Sequence, residues 1–355
     1  MRRNKIATPK LPALGKIPPE FFNKVIYPKL GAKDNSVLVK PQHGVDFGVI
    51  ALGKDVAVLS TDPFYIAREL GIEKAAWFAV HIIASDVAVS GIRPRFLSID
   101  LNLPPEITEQ ELMRLWSVVH SECRKLGINV VTGHTARYAG CNYPMVGGAT
   151  MIGVGRREKL IIPHAQPGDL IVISKGPAIE TTGLMAAYFP QFLKNRYSSS
   201  FVKKAQDVYF QMSTVKDAQI TASIGGVQAM HDATECGILG GLYEMAIHCR
   251  VGMRIHLDKI VVQEAVRKTC ACFDIDLFSA ISEGTLLAIV KKQRAHAVVK
   301  ALKAHAIPSS IAGEIVPQKE GIYVHKGKSK KRLVHPRIDP FWQKFEEYLK
   351  KTNAR

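Results

Sequence analysis

Residues 84–91 read Ala84-Ser85-Asp86-Val87-Ala88-Val89-Ser90-Gly91, and they close a run from Glu73 that is rich in small apolar side chains. The run predicts a helix over Glu73–Ser90, apolar enough to be buried. Asp86 is a carboxylate inside it, and burying it unpaired would be costly. Working outward, Arg95–Leu103 reads as a strand closed by Pro104-Pro105. Thr108–Leu126 reads as a helix opened by a capping box, Thr108-Glu-Gln-Glu111. Its residues Leu112, Leu115, Trp116, Val119, Cys123 and Leu126 fall on one face, and Gly127 stops it. Ile128–Thr132 and Met145–Val154 follow as strands. Upstream, Ser36–Pro41, Phe47–Leu52 and Asp55–Ser60 read as short strands. Strand and helix alternate, which points to an α/β or α+β fold.

Arg156-Arg157-Glu158-Lys159 is charged, and Pro163 and Pro167-Gly168-Asp169 read as linker and turn. A second alternating set begins at Leu170–Ser174. It runs through helices near Thr182–Phe189 and Phe201–Met212, the segment Gly225–Cys249 and the strand Gly284–Val290. The expected division is an N-terminal segment (1–35), a first domain (36–158), a second (165–325) and a basic C-terminal tail (326–355). Two domains suit a chain of 355 residues.

Hydrophobic residues make up 47% of the chain, too many for a disordered protein. No uncharged apolar run approaches the roughly 18 residues that span a bilayer. No apolar core follows the basic start MRRNKIATPK, so a cytoplasmic location is expected and no membrane contact. The six cysteines form no CxxC and no disulfide framework. The formal charge is +17, and most of it lies in residues 1–16 and 326–355. Such ends can bind phosphates. Without an aromatic and basic repeat, a solubilising tail is the favoured reading and nucleic acid the least favoured partner. Phe341–Leu349 is aromatic-rich and reads as a short helix packing back on the body.

The sequence holds no Walker-type GxxxxGK[ST], no GxGxxG and no Gly-x-Ser-x-Gly. What remains is a set of acids at element ends: Asp46 in Gly44–Ile50, Asp62 closing the strand Val56–Ser60, Asp86, and Asp232 with Glu235 in His231–Gly237. Each alone is an ordinary cap or turn residue. Several converging would hold magnesium, which prefers oxygen ligands and shares them with phosphates.

Six stretches in order then resemble one superfamily: aminoimidazole-ribonucleotide (AIR) synthase, or PurM, with the hydrogenase-maturation factor HypE, selenophosphate synthetase and thiamine-monophosphate kinase (ThiL). The resemblance is nearest to HypE. Gly15-Lys16-Ile-Pro-Pro-Glu20-Phe is similar to the HypE N-terminal segment, Gly44–Ile50 to GDDAAV, and Ser60-Thr61-Asp62 to STD. Ser85–Pro94 is similar to NDIAxxGAxP, Val131–Thr135 to VTGDT, and His231–Gly237 to HDVTEGG. The resemblance implies a two-domain PurM-like architecture. Its N-terminal ATP-binding domain would have a mixed sheet and pair with its copy in a homodimer, and its C-terminal domain would be ferredoxin-like. It implies ATP and Mg2+ as cofactors and transfer of a phosphoryl group to an oxygen of a small or protein-borne acceptor. Asp46, Asp62 and Asp86 would be magnesium ligands or hold its waters. Thr61, Gly133 and Thr135 would line the phosphate region, and Lys16 would reach the phosphates from its N-terminal segment. Asp232 and Glu235 would shape the acceptor side, with Asp86 among the catalytic groups.

Three departures bear on activity. Val45 replaces the first acid of GDDAAV, and His134 replaces the aspartate of GDT, a poorer magnesium ligand. The last cysteine is Cys272, so HypE-like dehydration of a C-terminal thiocarbamate is not expected; nor is there the N-terminal cysteine or selenocysteine of selenophosphate synthetases. Cys236 stands at a glycine position of HDVTEGG, where a small buried residue at a helix start is the simpler reading. The acids point first to a phosphoryl-transfer enzyme. Val45 and His134 point second to a nucleotide-binding maturation partner with little turnover.

Overall fold

The computed structural model describes Ile17 and residues 19–353. A short turn, α1 (Pro19–Phe21), precedes β1 (Val37–Val39), β2 (Gly48–Leu52) and β3 (Asp55–Ile66). Helix α2 (Ile72–Ala88) is apolar nearly all round, and twelve of its seventeen residues are buried. It needs cover on every side. It finds this between β3, the following helix, and elements of the second half of the chain. After it come β4 (Pro94–Leu103), α3 (Glu109–Leu126), β5 (Asn129–Arg137) and β6 (Met145–Arg156). These strands form one mixed sheet in the order β1-β2-β3-β6-β4-β5.

The capping box of α3 forms as read: Glu111 N–H donates to Thr108 Oγ1 at 3.2 Å, and Thr108 N–H donates to Glu111 Oε2 at 2.9 Å. Gly127 ends the helix in the left-handed conformation. Its buried stripe is narrower than the spacing implied. Leu115, Val119 and Cys123 are buried, while Trp116 is 41% exposed.

The second set comprises β7 (Leu170–Ser174), α4 (Ile179–Tyr188), α5 (Pro190–Lys194), α6 (Ser199–Asp207), α7 (Val215–Ile224), β8 (Val227–Asp232) and α8 (Gly237–Cys249). It continues with β9 (Gly252–His256), α9 (Glu264–Phe273), β10 (Leu286–Val290), α10 (Lys292–Ala304), β11 (Ser309–Val316), β12 (Ile322–Lys326), β13 (Ser329–Arg332) and α11 (Pro340–Asn353). Its mixed sheet runs β13-β12-β9-β11-β7-β10-β8. The stretch between the sheets is pinned to the first set. Ile161 N–H donates to Ser90 O, and Gly91 (φ +80°) lies so close to Lys159 that an added Cβ would sit 2.8 Å from its carbonyl oxygen.

Residues 326–353 are not the solvated tail expected of so basic a segment. They finish β12, form β13 antiparallel to it, and then α11. Helix α11 packs as expected: Phe341 is fully buried, and Phe345 and Tyr348 stack edge-on against Tyr188, Phe192 and Phe273. These aromatic side chains supply enough apolar area to hold a helix whose remaining residues are largely charged.

Candidate functional site

Asp86 sits in the last turn of α2, buried, with its Oδ2 accepting from Ser60 Oγ at 2.7 Å. Burial, followed by the charges of Asp62 and Asp46, pushes its carboxyl well above the usual range. The three acids, 40 residues apart from first to last, therefore share one locality. Asp62 reaches it from within β3. The strand does not stop at Ser60 but runs on to Ile66, and alternation turns Ser60 and Asp62 inward to α2 and Thr61 outward.

Asp46 comes from the loop before β2 and ties the two halves together. Its Oδ1 lies 2.8 Å from His231 Nδ1, and its Oδ2 accepts from Asp232 N–H at 3.2 Å. Asp232 ends β8, fully buried. It accepts from Thr214 Oγ1 at 3.0 Å and from Gly284 N–H at 3.1 Å, and burial pushes it up to about 6. Thr214 N–H in turn donates to Ser85 Oγ at 2.9 Å, so the residue next to Asp86 also positions the partner of Asp232. Glu235 lies close enough to raise the carboxyls of Glu180 and Asp339.

Four groups here escaped the sequence reading. Glu283 is buried in the turn just before β10. Burial, then the charge of Asp232, push it well above the usual range; among the described residues its Oε1 has no hydrogen-bond partner. Glu180, in α4, is pushed up to about 8 by burial, and its Oε2 accepts from Glu283 N–H at 3.2 Å. Lys175, left-handed at φ +58°, pairs with Asp217 at 3.0 Å, and both are buried. Lys175 Nζ also donates to Gln211 O, Ser213 O and Gly284 O, which fixes the two loops that carry Thr214 and Glu283. The available signal was charge inside apolar stretches, Ile-Ser-Lys-Gly after β7 and Ser-Glu-Gly before β10.

The residues expected to line the phosphates do not join this cluster. Thr61, Gly133 and His134 line an open depression of about 370 Å³ on the outer face of the first sheet, with Asp100 and Thr150. Thr61 Oγ1 is 2.9 Å from Thr150 Oγ1. Thr135 is exposed on the edge strand β5, and His134 Nε2 lies 2.8 Å from Tyr138 Oη, away from the acids. Lys16 lies outside the described residues. Among those described, no three His, Cys, Asp or Glu side chains are placed to hold a metal ion by themselves. The donor set is all oxygen, as magnesium requires, and phosphate oxygens would have to complete it. Cys236 is buried at the start of α8 and donates to Pro336 O, as a small packed residue would.

The sequence pattern of the AIR synthase related protein N-terminal domain matches residues 44–155, and that of the C-terminal domain matches 166–326. The chain belongs to the AIR synthase related proteins. Within that family it is 26% identical over 224 residues to carbamoyl dehydratase HypE of Escherichia coli, covering 60% of this chain and 61% of that protein. It is 26% identical over 253 residues to selenide, water dikinase of Carboxydothermus hydrogenoformans, covering 69% and 68%. HypE in complex with ATP shares the fold at a TM-score of 0.67 and 21% identity, over 90% of this chain and 92% of that one. The chain thus spans about three fifths of the length of most curated relatives it matches. The family's two-domain α/β architecture with two mixed sheets is the one described above. Among the described residues no helix is long and apolar enough to cross a membrane.

Proposed function

We propose that this AIR synthase related protein is a magnesium- and ATP-dependent enzyme that transfers the γ-phosphoryl group to an oxygen of a small or protein-borne acceptor. The convergence of Asp46, Asp62 and Asp86 beside Asp232 and Glu283 carries the reading. Three mutually repelling carboxylates in one place, Asp86 buried and Asp46 and Asp62 half-buried, favour protons or a cation among them. Magnesium, held there by Asp46, Asp62 and Asp86 together with phosphate oxygens, would offset the charge that develops in transfer. Glu283, whose Oε1 has no hydrogen-bond partner among the described residues and whose carboxyl is pushed up by burial and then by Asp232, would move a proton at the acceptor. The relatives' enzymatic names and the ATP bound by HypE support the same reading.

Isothermal titration with ATP and magnesium tests it. Asp62→Ala and Asp86→Asn are expected to weaken binding by more than about tenfold each, because each removes an oxygen charge from the metal's share of the site. No binding by the unaltered protein, or unchanged affinity in both variants, contradicts the proposal.

Val45 and the displaced His134 support a second reading, a nucleotide-binding maturation partner with little turnover. The HypE–HypF complex shows one relative with a protein partner. Robust ADP release on adding a candidate acceptor removes this reading.

The first sheet supports a homodimer. Edge strand β5 exposes Val130 and Val131, and its outer face exposes Tyr65 and Val146, an unpaired edge beside an apolar face. A second copy laid there would bring a nucleotide near Thr61, Gly133 and Thr135. Val131→Lys, which charges that edge, is expected to shift the mass measured by light scattering from dimer to monomer. A monomer before substitution, or a dimer after it, contradicts this pairing.

A further inference from the structure

At the far edge of the second sheet the basic segment takes a form its sequence did not show. Lys326, Lys328, Lys330, Lys331 and Arg332 fall within seven residues of the β12–β13 hairpin, all exposed. Among the described residues none of the five forms an ion pair. Strand β13 is the outermost strand.

The pairing register decides what lies beside these cations. In β12, Ile322 and Val324 pack into the core shared with α8, so Tyr323 and His325 face the other way. In β9, Met253 and Ile255 are buried, so Arg254 and His256 face the same way as Tyr323 and His325. Arg332 pairs with Tyr323 and Tyr323 with Arg254; Lys330 pairs with His325 and His325 with His256. Two rows, roughly 7 Å apart along the strands, thus carry three planar rings with cations at their outer end. Lys330 Nζ lies 4.3 Å from the centre of the Tyr323 ring, and the His256 and His325 rings stack at 5.0 Å. Arg254 is outweighed by its two partners Glu314 and Glu320, which leave one negative charge there, and Asp258 accepts from Gly327 N–H. The surplus of positive charge therefore belongs to the hairpin itself.

We propose that this edge binds single-stranded RNA. Unpaired bases offer flat faces to stack on rings while their phosphates meet unpaired cations. The chain's +17 charge supplies the long-range attraction. An acidic protein would satisfy the lysines but would bring nothing flat to the ring surface that Lys330 and the His256–His325 stack leave open. The platform lies apart from the carboxylate cluster and does not depend on the reading of that site.

Fluorescence anisotropy with a labelled, unstructured RNA of about 12 nucleotides tests the proposal. Lys330 and Arg332 lie on the ring side with Lys328 at the turn, while Lys331, opposite Val324, and Lys326 lie on the other. With three phosphate contacts, affinity is expected to fall about 20-fold between about 50 and 200 mM salt. The combined substitution Lys330→Ala, Lys331→Ala and Arg332→Ala is expected to weaken binding more than about tenfold at the lower salt and to flatten that dependence. Tyr323→Ala is expected to cost about tenfold at both salts with the slope unchanged, and Tyr323→Phe to bind as the unaltered chain does. Lys330, Lys331 and Arg332 are exposed, so unchanged melting of the triple variant confirms that only binding was altered. No binding at the lower salt, unaltered affinity in the triple variant, or equal affinity for duplex DNA or polyglutamate overturns the proposal.

Discussion

Replacing Lys175 by Met is expected to lower the stability of the folded protein by about 3–5 kcal/mol, because it strands the buried Asp217 carboxylate without its counter-charge. The lysine is 7% exposed and its partner 1%, so water cannot take over the lost interaction. Three carbonyl oxygens, of Gln211, Ser213 and Gly284, lose their donor in the same step. Ser174 Oγ, 2.5 Å from Asp217 Oδ2, would be the one short hydrogen bond left to it. Urea unfolding should show the loss as a fall in midpoint with an unchanged slope. Lys175→Met combined with Asp217→Leu is expected to recover much of it, because a pair of apolar side chains has no charge to desolvate. A loss below about 1 kcal/mol in the single variant contradicts this account.

Glu283→Gln is the second change with a large expected effect, and it separates binding from chemistry. Glutamine keeps the shape and the contact with Asp232 but cannot take up and release a proton. If Glu283 moves a proton at the acceptor, ADP release should fall by about 10²- to 10⁴-fold. Magnesium–ATP affinity by titration should stay within about twofold, since the carboxylates proposed to hold the metal are untouched. Melting temperature should not fall, because burial and Asp232 both disfavour a charge at this position and glutamine carries none. Unchanged ADP release would show that Glu283 has no part in the reaction.

Much of the fold was legible because its signals are local. The apolar run of α2, the capping box of α3 and the continuous apolar run of β7 each declare themselves within one window. Asp62 reads in the sequence as closing the strand Val56–Ser60, whereas it lies inside β3. In the structure Pro63 lies within β3, where the pairing with β6 carries on through it to Ile66. The site was half legible. An acid inside an apolar helix marks Asp86 without any partner in view, whereas Glu283 and Lys175 acquire meaning only from groups 36 to 109 residues away. The basic hairpin was missed for a related reason. Its rings lie on neighbouring strands, and only the register places them beside the lysines.

Helix α2 has one more consequence. The same continuous apolar body takes in Val56 and Ile83 of the first sheet's layer and Met185, Val298 and Phe341 of the second. The seam between the halves is thus interior, not surface. The second half keeps a centre of its own beneath α8, but the one it shares with the first is opened when the halves are parted, so a chimera that swaps one of them must also carry across the side chains that fill the shared middle.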